Sequence, residues 1–147
     1  LHPRSRGHVG LRSNVPHAPP VIVAGHLTDP ADAESLIHGI RLLRRIFATQ
    51  PLASAIAEEL RPGASKVDDA ALREFVFAAA TSMMHAVGTC AIGMQDDAVL
   101  TPDLRVRGVG ALRVVDASVM PVLPSGNSAA AVLMVAEGAS DLILGAA

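Results

Sequence analysis

Between Asp29 and Phe47 the chain carries a continuous helical signature that any fold must accommodate. Asp29 is a good N-cap, Pro30 suits the first helical position, and Asp32 adds negative charge to the first turn. Leu36, Ile40, Leu43 and Phe47 then recur at helical spacing, with Ile37 and Ile46 widening the apolar stripe. Arg41, Arg44 and Arg45 lie toward the C-terminal end, where positive charge suits the helix dipole. A solvated face is the ordinary role for such arginines, and an anion site is the sharper alternative. Pro51 is expected to end the helix, with a short one following over about 52–60.

The segments around this helix read differently. Residues 8–13 and 20–24 have the character of short strands, linked by a proline-rich stretch. Arg61-Pro62-Gly63 is a turn, and Asp68 or Asp69 can cap a further helix carrying Leu72, Phe75, Val76 and Ala79. Residues 81–89 read as extended chain entering a glycine turn, and 99–110 as a loop with short strand pieces. Leu112 to Asp116 reads as a buried strand. Asn127 or Ser128 then caps a long final helix running toward Leu144, in which Gly138 marks a close contact. Strands and helices without regular βαβ alternation point to an α+β fold, an antiparallel sheet flanked by helices. A length of 147 residues suits a single domain.

Composition narrows the function. Half of the residues are hydrophobic, 18% are charged and the net charge is −2, a globular balance with no basic surplus for nucleic acid. With three Phe and neither Tyr nor Trp, the chain brings no stacking platform for bases and no aromatic cage for a quaternary ammonium. The single cysteine, Cys90, allows no internal disulfide and reads as a small packed residue rather than a nucleophile. Six histidines without metal-ligand spacing give no metal motif. No apolar run is long enough to suggest a transmembrane helix. The chain begins at Leu1 and has no signal-peptide pattern, which leads us to expect a piece of a larger protein. A cytoplasmic location is expected, with membrane association left open.

Several common site motifs fail. Gly108-Val109-Gly110 begins like a dinucleotide fingerprint, but Arg113 stands where the third glycine should be, and the motif precedes a strand instead of following one. No GxSxG elbow or GxxxxGK[ST] loop occurs.

Three segments together are specific. His85-Ala86-Val87-Gly88-Thr89-Cys90 is followed by Gly93. Leu112-Arg113-Val114-Val115-Asp116-Ala117-Ser118-Val119-Met120-Pro121 comes next. Pro124-Ser125-Gly126-Asn127-Ser128 then runs into Met134 to Ile143. In this order and at these separations they resemble the C-terminal region of glucose–methanol–choline oxidoreductases, of the choline or alcohol dehydrogenase kind. His2 to Val9 and Asp29-Pro30-Ala31-Asp32 fit the same family's substrate-domain sequence, so the resemblance covers essentially the whole chain.

The resemblance implies an FAD-dependent oxidation of a small-molecule alcohol. Oxidising an alcohol requires removal of the hydroxyl proton and passage of a hydride to an acceptor. Histidine is the natural base as a residue type, and the developing alkoxide needs a nearby hydrogen-bond donor. His85 occupies the position of the family's catalytic base and Asn127 that of its His/Asn partner, where an amide N–H is a donor at every pH. Ser128 and Ala129 would present backbone N–H groups of the last helix to the flavin's pyrimidine side. Asp116 and Ala117 would lie near its ribityl and phosphate chain.

The bland alternatives remain beside these roles. Asn127 is also a good N-cap, and a lone histidine in an extended segment is often a hydrogen-bonded packing residue. Ala131-Val132 stands where relatives often carry Pro-Thr, Met84 where many are aromatic and Ile92 where many have Met; these departures bear on flavin-edge contacts and substrate preference. The family's FAD-binding domain, with its GxGxxG loop, is absent from this sequence, so it is the expected partner and the main holder of FAD. A non-catalytic remnant or binding module, and a cyanohydrin lyase of the same family, are the competing readings.

Overall fold

The computed structural model describes residues 2–145. The chain divides into two compact units, one formed by Pro3–Thr81 and the other beginning at Ser82 and including His2. Among the described residues the regular elements are a two-stranded antiparallel sheet and three α-helices, the last of them near the C-terminal end. That is the expected α+β class. No helix among the described residues is long and apolar enough to cross a membrane.

In the first unit, β1 (His8–Gly10) pairs with β2 (Val21–Val23), with Val9 opposite Ile22. The strands are shorter than the sequence suggests: residues 11–13 leave the ladder, and Pro20, which has no N–H to donate, lies outside it. Two glycines permit the close backbone approach beside the sheet. A Cβ on Gly7 would fall 2.1 Å from the Val23 carbonyl oxygen, and one on Gly25, at φ +64°, 2.1 Å from that of Arg6.

Helix α1 (Pro30–Phe47) starts as expected, with the Asp29 carboxylate accepting from the Ala31 N–H at 2.9 Å. Asp32 does more than complement the dipole. Its carboxylate accepts from the backbone N–H groups of Arg4 and Ser5, each at 2.8 Å, and from the Ser5 hydroxyl at 2.5 Å. Ser5 Oγ in turn accepts from the Asp29 N–H at 3.0 Å. The chain entering β1 is therefore fastened to the first turn of α1. Helix α2 (Asp69–Ala79) is capped by Asp68, which accepts from the Ala71 N–H at 2.8 Å.

The core of this unit is Ala33 and Ile37 of α1 against Leu72 and Val76 of α2, flanked by Leu27 and Ile40. This is a correction to the expected stripe: Leu36, Leu43, Ile46 and Phe47 are each about half exposed. The small Ala33 lets α2 approach on one edge of the apolar face and leaves the other edge uncovered. Arg44 is not merely solvated. It forms a bidentate pair with Glu59, at 2.9 and 2.7 Å, and also donates to the Gly63 carbonyl. The expected helix over 52–60 contracts to a 3₁₀ turn at Leu52–Ala55, after which the chain extends to deliver Glu59. Helix α1 itself ends at Phe47, before Pro51.

The second unit has no regular strand among its described residues. Its chain is tied by isolated bridges, Ile92 with Leu100, Leu100 with Val106 and Arg105 with Arg113. Leu112 to Asp116 is thus not a buried strand: only Arg113 pairs, and Leu112 and Val115 are exposed. Its alternating apolar residues pack instead through Val114. The core is Leu100, Leu104 and Val119 against Ala139 of α3 (Ala129–Leu144), with Val135, Ile92, Val106 and Met120 around it. Gly145 ends α3 in the left-handed conformation, φ +69°. Gly138 has open space where a Cβ would stand, so the close contact expected there is not observed.

Candidate active site

All six residues singled out by sequence fall in the second unit. They are held by two short devices. The first is the turn after Val115. Asp116 caps a 3₁₀ turn, Ala117–Val119, by accepting from the Ser118 N–H at 2.8 Å and from its hydroxyl at 2.5 Å. The capped turn presents the Ser118 carbonyl to two N–H groups, Gly88 at 3.1 Å and Cys90 at 3.0 Å, while Ile92 donates to Val119 at 3.0 Å. Gly88 meets this turn at φ +90°, a conformation that favours glycine. Asp116 and Ala117 are thereby coupled to the segment that carries His85.

The second device is the start of α3. Ser128 occupies the N-cap position, but its backbone is already helical (φ −71°, ψ −12°) and its side chain caps no N–H. Its hydroxyl lies 2.8 Å from Nδ1 of the half-buried His85. The reciprocal capping partner, a Glu or Gln three residues on, is absent because that position is Ala131. Freed from capping, the hydroxyl serves the imidazole.

Helix α3 has no acidic residue in its first turn, and Ala129 and Ala130 are exposed there. The first-turn N–H groups therefore face no side-chain anion of their own helix. Upstream, Ser125 is tied by its hydroxyl to His2 Nε2 at 2.9 Å. Asn127 lies between that tether and Ser128; it is exposed, and the described side-chain hydrogen bonds include none to it. Among the described residues no cluster of His, Cys, Asp or Glu could hold a metal ion.

The structure thus joins His85 to Ser128 directly, and Asp116 and Ala117 to the His85 segment through Ser118. Among the described residues it brings no side-chain hydrogen bond to Asn127. The Ser128 hydroxyl as a partner of His85 was missed from the sequence. Its one local signal was a serine at a helix start with no Glu or Gln at the capping-box position.

Comparison with known proteins agrees with the resemblance carried by these motifs. A GMC oxidoreductase family model matches residues 3–136. An alcohol dehydrogenase (acceptor) of Pseudomonas putida is 39% identical over 144 residues, covering 98% of this chain and 26% of that protein. A chloroplastic fatty acid photodecarboxylase of Chlamydomonas reinhardtii is also 39% identical, over 150 residues, covering all of this chain and 24% of that protein. Among solved structures, a fungal aryl-alcohol oxidase superposes with a TM-score of 0.84 at 37% identity, covering 97% of this chain and 24% of that one. The chain spans about a quarter of the length of the curated relatives it matches. On the family model and these identities, the chain belongs to the GMC (glucose–methanol–choline) oxidoreductase family.

Proposed function

We propose that this chain is the C-terminal part of an FAD-dependent oxidoreductase that converts the CH–OH group of a small alcohol to a carbonyl. His85 acts as the base and Asn127 as the donor to the substrate oxygen. The observation that carries the reading is the 2.8 Å contact between His85 Nδ1 and Ser128 Oγ, because it sets an imidazole beside the N-terminus of α3. Family membership alone does not choose the reaction, since relatives of equal identity are named as an alcohol dehydrogenase and a photodecarboxylase. The choice rests on residue chemistry: a histidine that can take a proton and, in the same unit, an amide that can donate to an oxygen.

The donor set suits a flavin edge. A first helical turn with free N–H groups and small exposed residues offers partial positive charge and close approach to a flat ring. Ser128 and Ala129 would hold the pyrimidine side through backbone N–H groups, and Asp116 with Ala117 would neighbour the ribityl and phosphate chain. When bound, FAD supplies the hydride acceptor. His85 takes the hydroxyl proton of the substrate. The Asn127 amide donates a hydrogen bond to the oxygen as negative charge develops, without itself titrating. The remaining walls of the alcohol site, and the dinucleotide fold that holds most of FAD, lie on this reading in sequence outside the 147 residues.

Anaerobic mixing of the FAD-loaded full-length protein with primary and benzylic alcohols tests the proposal. Bleaching of the flavin absorbance with release of the aldehyde supports it. An unreduced flavin together with cleavage of a cyanohydrin would instead identify a lyase.

A further inference from the structure

We infer that Ser128 is a positioning residue that sets the tautomer of His85 through its side chain, a role distinct from any backbone contact to a flavin. The inference rests on the reading of His85 as the base and deepens it. A neutral imidazole has one N–H and one lone pair, and the hydrogen bond made by one nitrogen decides what the other can do. Nδ1 is committed to Ser128 Oγ at 2.8 Å, and the described hydrogen bonds include no partner for Nε2. If Nδ1–H donates to Oγ, Nε2 keeps its lone pair and can accept a proton. If Oγ–H donates to Nδ1, Nε2 carries the proton and cannot act as a base. The base therefore requires the first polarity.

Three features of the chain suit Ser128 to this task. Its hydroxyl is not engaged in capping α3, so both lone pairs are open to Nδ1–H. Its backbone is fixed in the helix, with the Ser128 carbonyl accepting from the Val132 N–H at 2.9 Å, so Oγ is held on a rigid element. The His85 segment is independently anchored three and five residues on, where Gly88 and Cys90 donate to the Ser118 carbonyl. Imidazole and hydroxyl thus meet between two fixed points, and loss of the hydroxyl frees ring rotation and the choice of tautomer without removing either anchor.

The test has two arms. Imidazole ¹⁵N shifts of the labelled 147-residue chain, with His85 assigned from its loss in His85→Gln, report which nitrogen carries the proton. We expect protonated Nδ1 and unprotonated Nε2 in the parent sequence, a shift toward the Nε2–H form in Ser128→Ala, and restoration in Ser128→Thr. In the FAD-loaded full-length protein, Ser128→Ala should slow flavin reduction by roughly ten- to a hundredfold at unchanged apparent alcohol affinity, as expected when a catalytic group loses its orientation. Ser128→Thr should recover most of that rate, which loss of helix packing alone would not explain. A parent chain with the proton on Nε2, or a tautomer that Ser128→Ala leaves unmoved, overturns the Ser128 assignment. Unchanged reduction in His85→Gln overturns the base reading beneath it, and the two failures are read from different signals.

Discussion

Removing the Asp116 carboxylate separates its role as a turn cap from any contact it makes with a cofactor. In this structure its Oδ1 accepts from the Ser118 N–H at 2.8 Å and from the Ser118 hydroxyl at 2.5 Å. The turn it closes presents the Ser118 carbonyl to the Gly88 and Cys90 N–H groups. Replacing a capping Asp by Ala costs about 1 kcal/mol. Asp116 is exposed, so water takes over part of what is lost and the lower half of the usual range applies. A local opening made easier by about 1 kcal/mol speeds amide exchange roughly fivefold, because about 1.4 kcal/mol corresponds to a factor of ten. Asp116→Ala in the 147-residue chain should therefore accelerate exchange at Gly88, Cys90 and Ile92 by about that factor, with much less change at Leu72 and Val76 of the other unit. Asp116→Asn retains an acceptor oxygen and should stay within about twofold of the parent, since Asn and Asp cap about equally well. Equal exchange in all three chains would refute the proposed link from cap to His85 segment. An Asn variant as fast as the Ala variant would show that charge, not capping, holds the turn.

Leu100 is fully buried at the centre of the second core, and Leu100→Ala should cost about 3 kcal/mol in denaturant unfolding, the middle of the range for such truncations. Two carboxylates should give the first unit a stability that declines in acid. Asp32 is held below the usual aspartate range by hydrogen bonds from Ser5 and Arg4, and Glu59 below the usual glutamate range by the Arg44 guanidinium. A depressed carboxylate contributes stability that is present above its unfolded pKa and lost as pH falls through the folded one. The thermal midpoint should therefore drop below about pH 4, and the double variant Asp32→Asn/Glu59→Gln should be lower at neutral pH with a flatter acid limb. On the proposed function the 147-residue chain alone should not retain flavin: gel filtration after mixing with FAD should return colourless protein, and a stoichiometric yellow complex would contradict this.

How much was legible in the sequence follows the range of the interactions. Caps are local, so Asp29 announced its helix and Asp68 or Asp69 the next, of which Asp68 is the cap; the Asp29-Pro30 pair placed the start of α1 where it is found. Strand character was readable over 8–13 and 20–24, and the ladder that forms is the shorter His8–Gly10 with Val21–Val23. What failed was tertiary. The stripe of α1 predicts burial of Leu36 and Leu43, but α2 packs on Ala33 and Ile37, a choice made by a segment some 40 residues away. Leu112 to Asp116 has strand composition, yet it finds only one bridging partner, so its propensity is not realised as a ladder. At the candidate site, His85 and Asn127 were legible only as parts of an ordered motif set. The Ser128 hydroxyl was not, because a serine at a helix start reads as a cap, and only a contact across 43 residues shows what it serves instead.

The base assignment is tested most directly by stopped-flow reduction of the FAD-loaded full-length protein carrying His85→Ala, with flavin content measured in the same sample. Full flavin occupancy is expected, with reduction slowed by about a hundredfold or more, the usual contribution of a positioned base. Full occupancy with a reduction rate within about threefold of the parent would contradict it and return His85 to the role of a hydrogen-bonded packing residue.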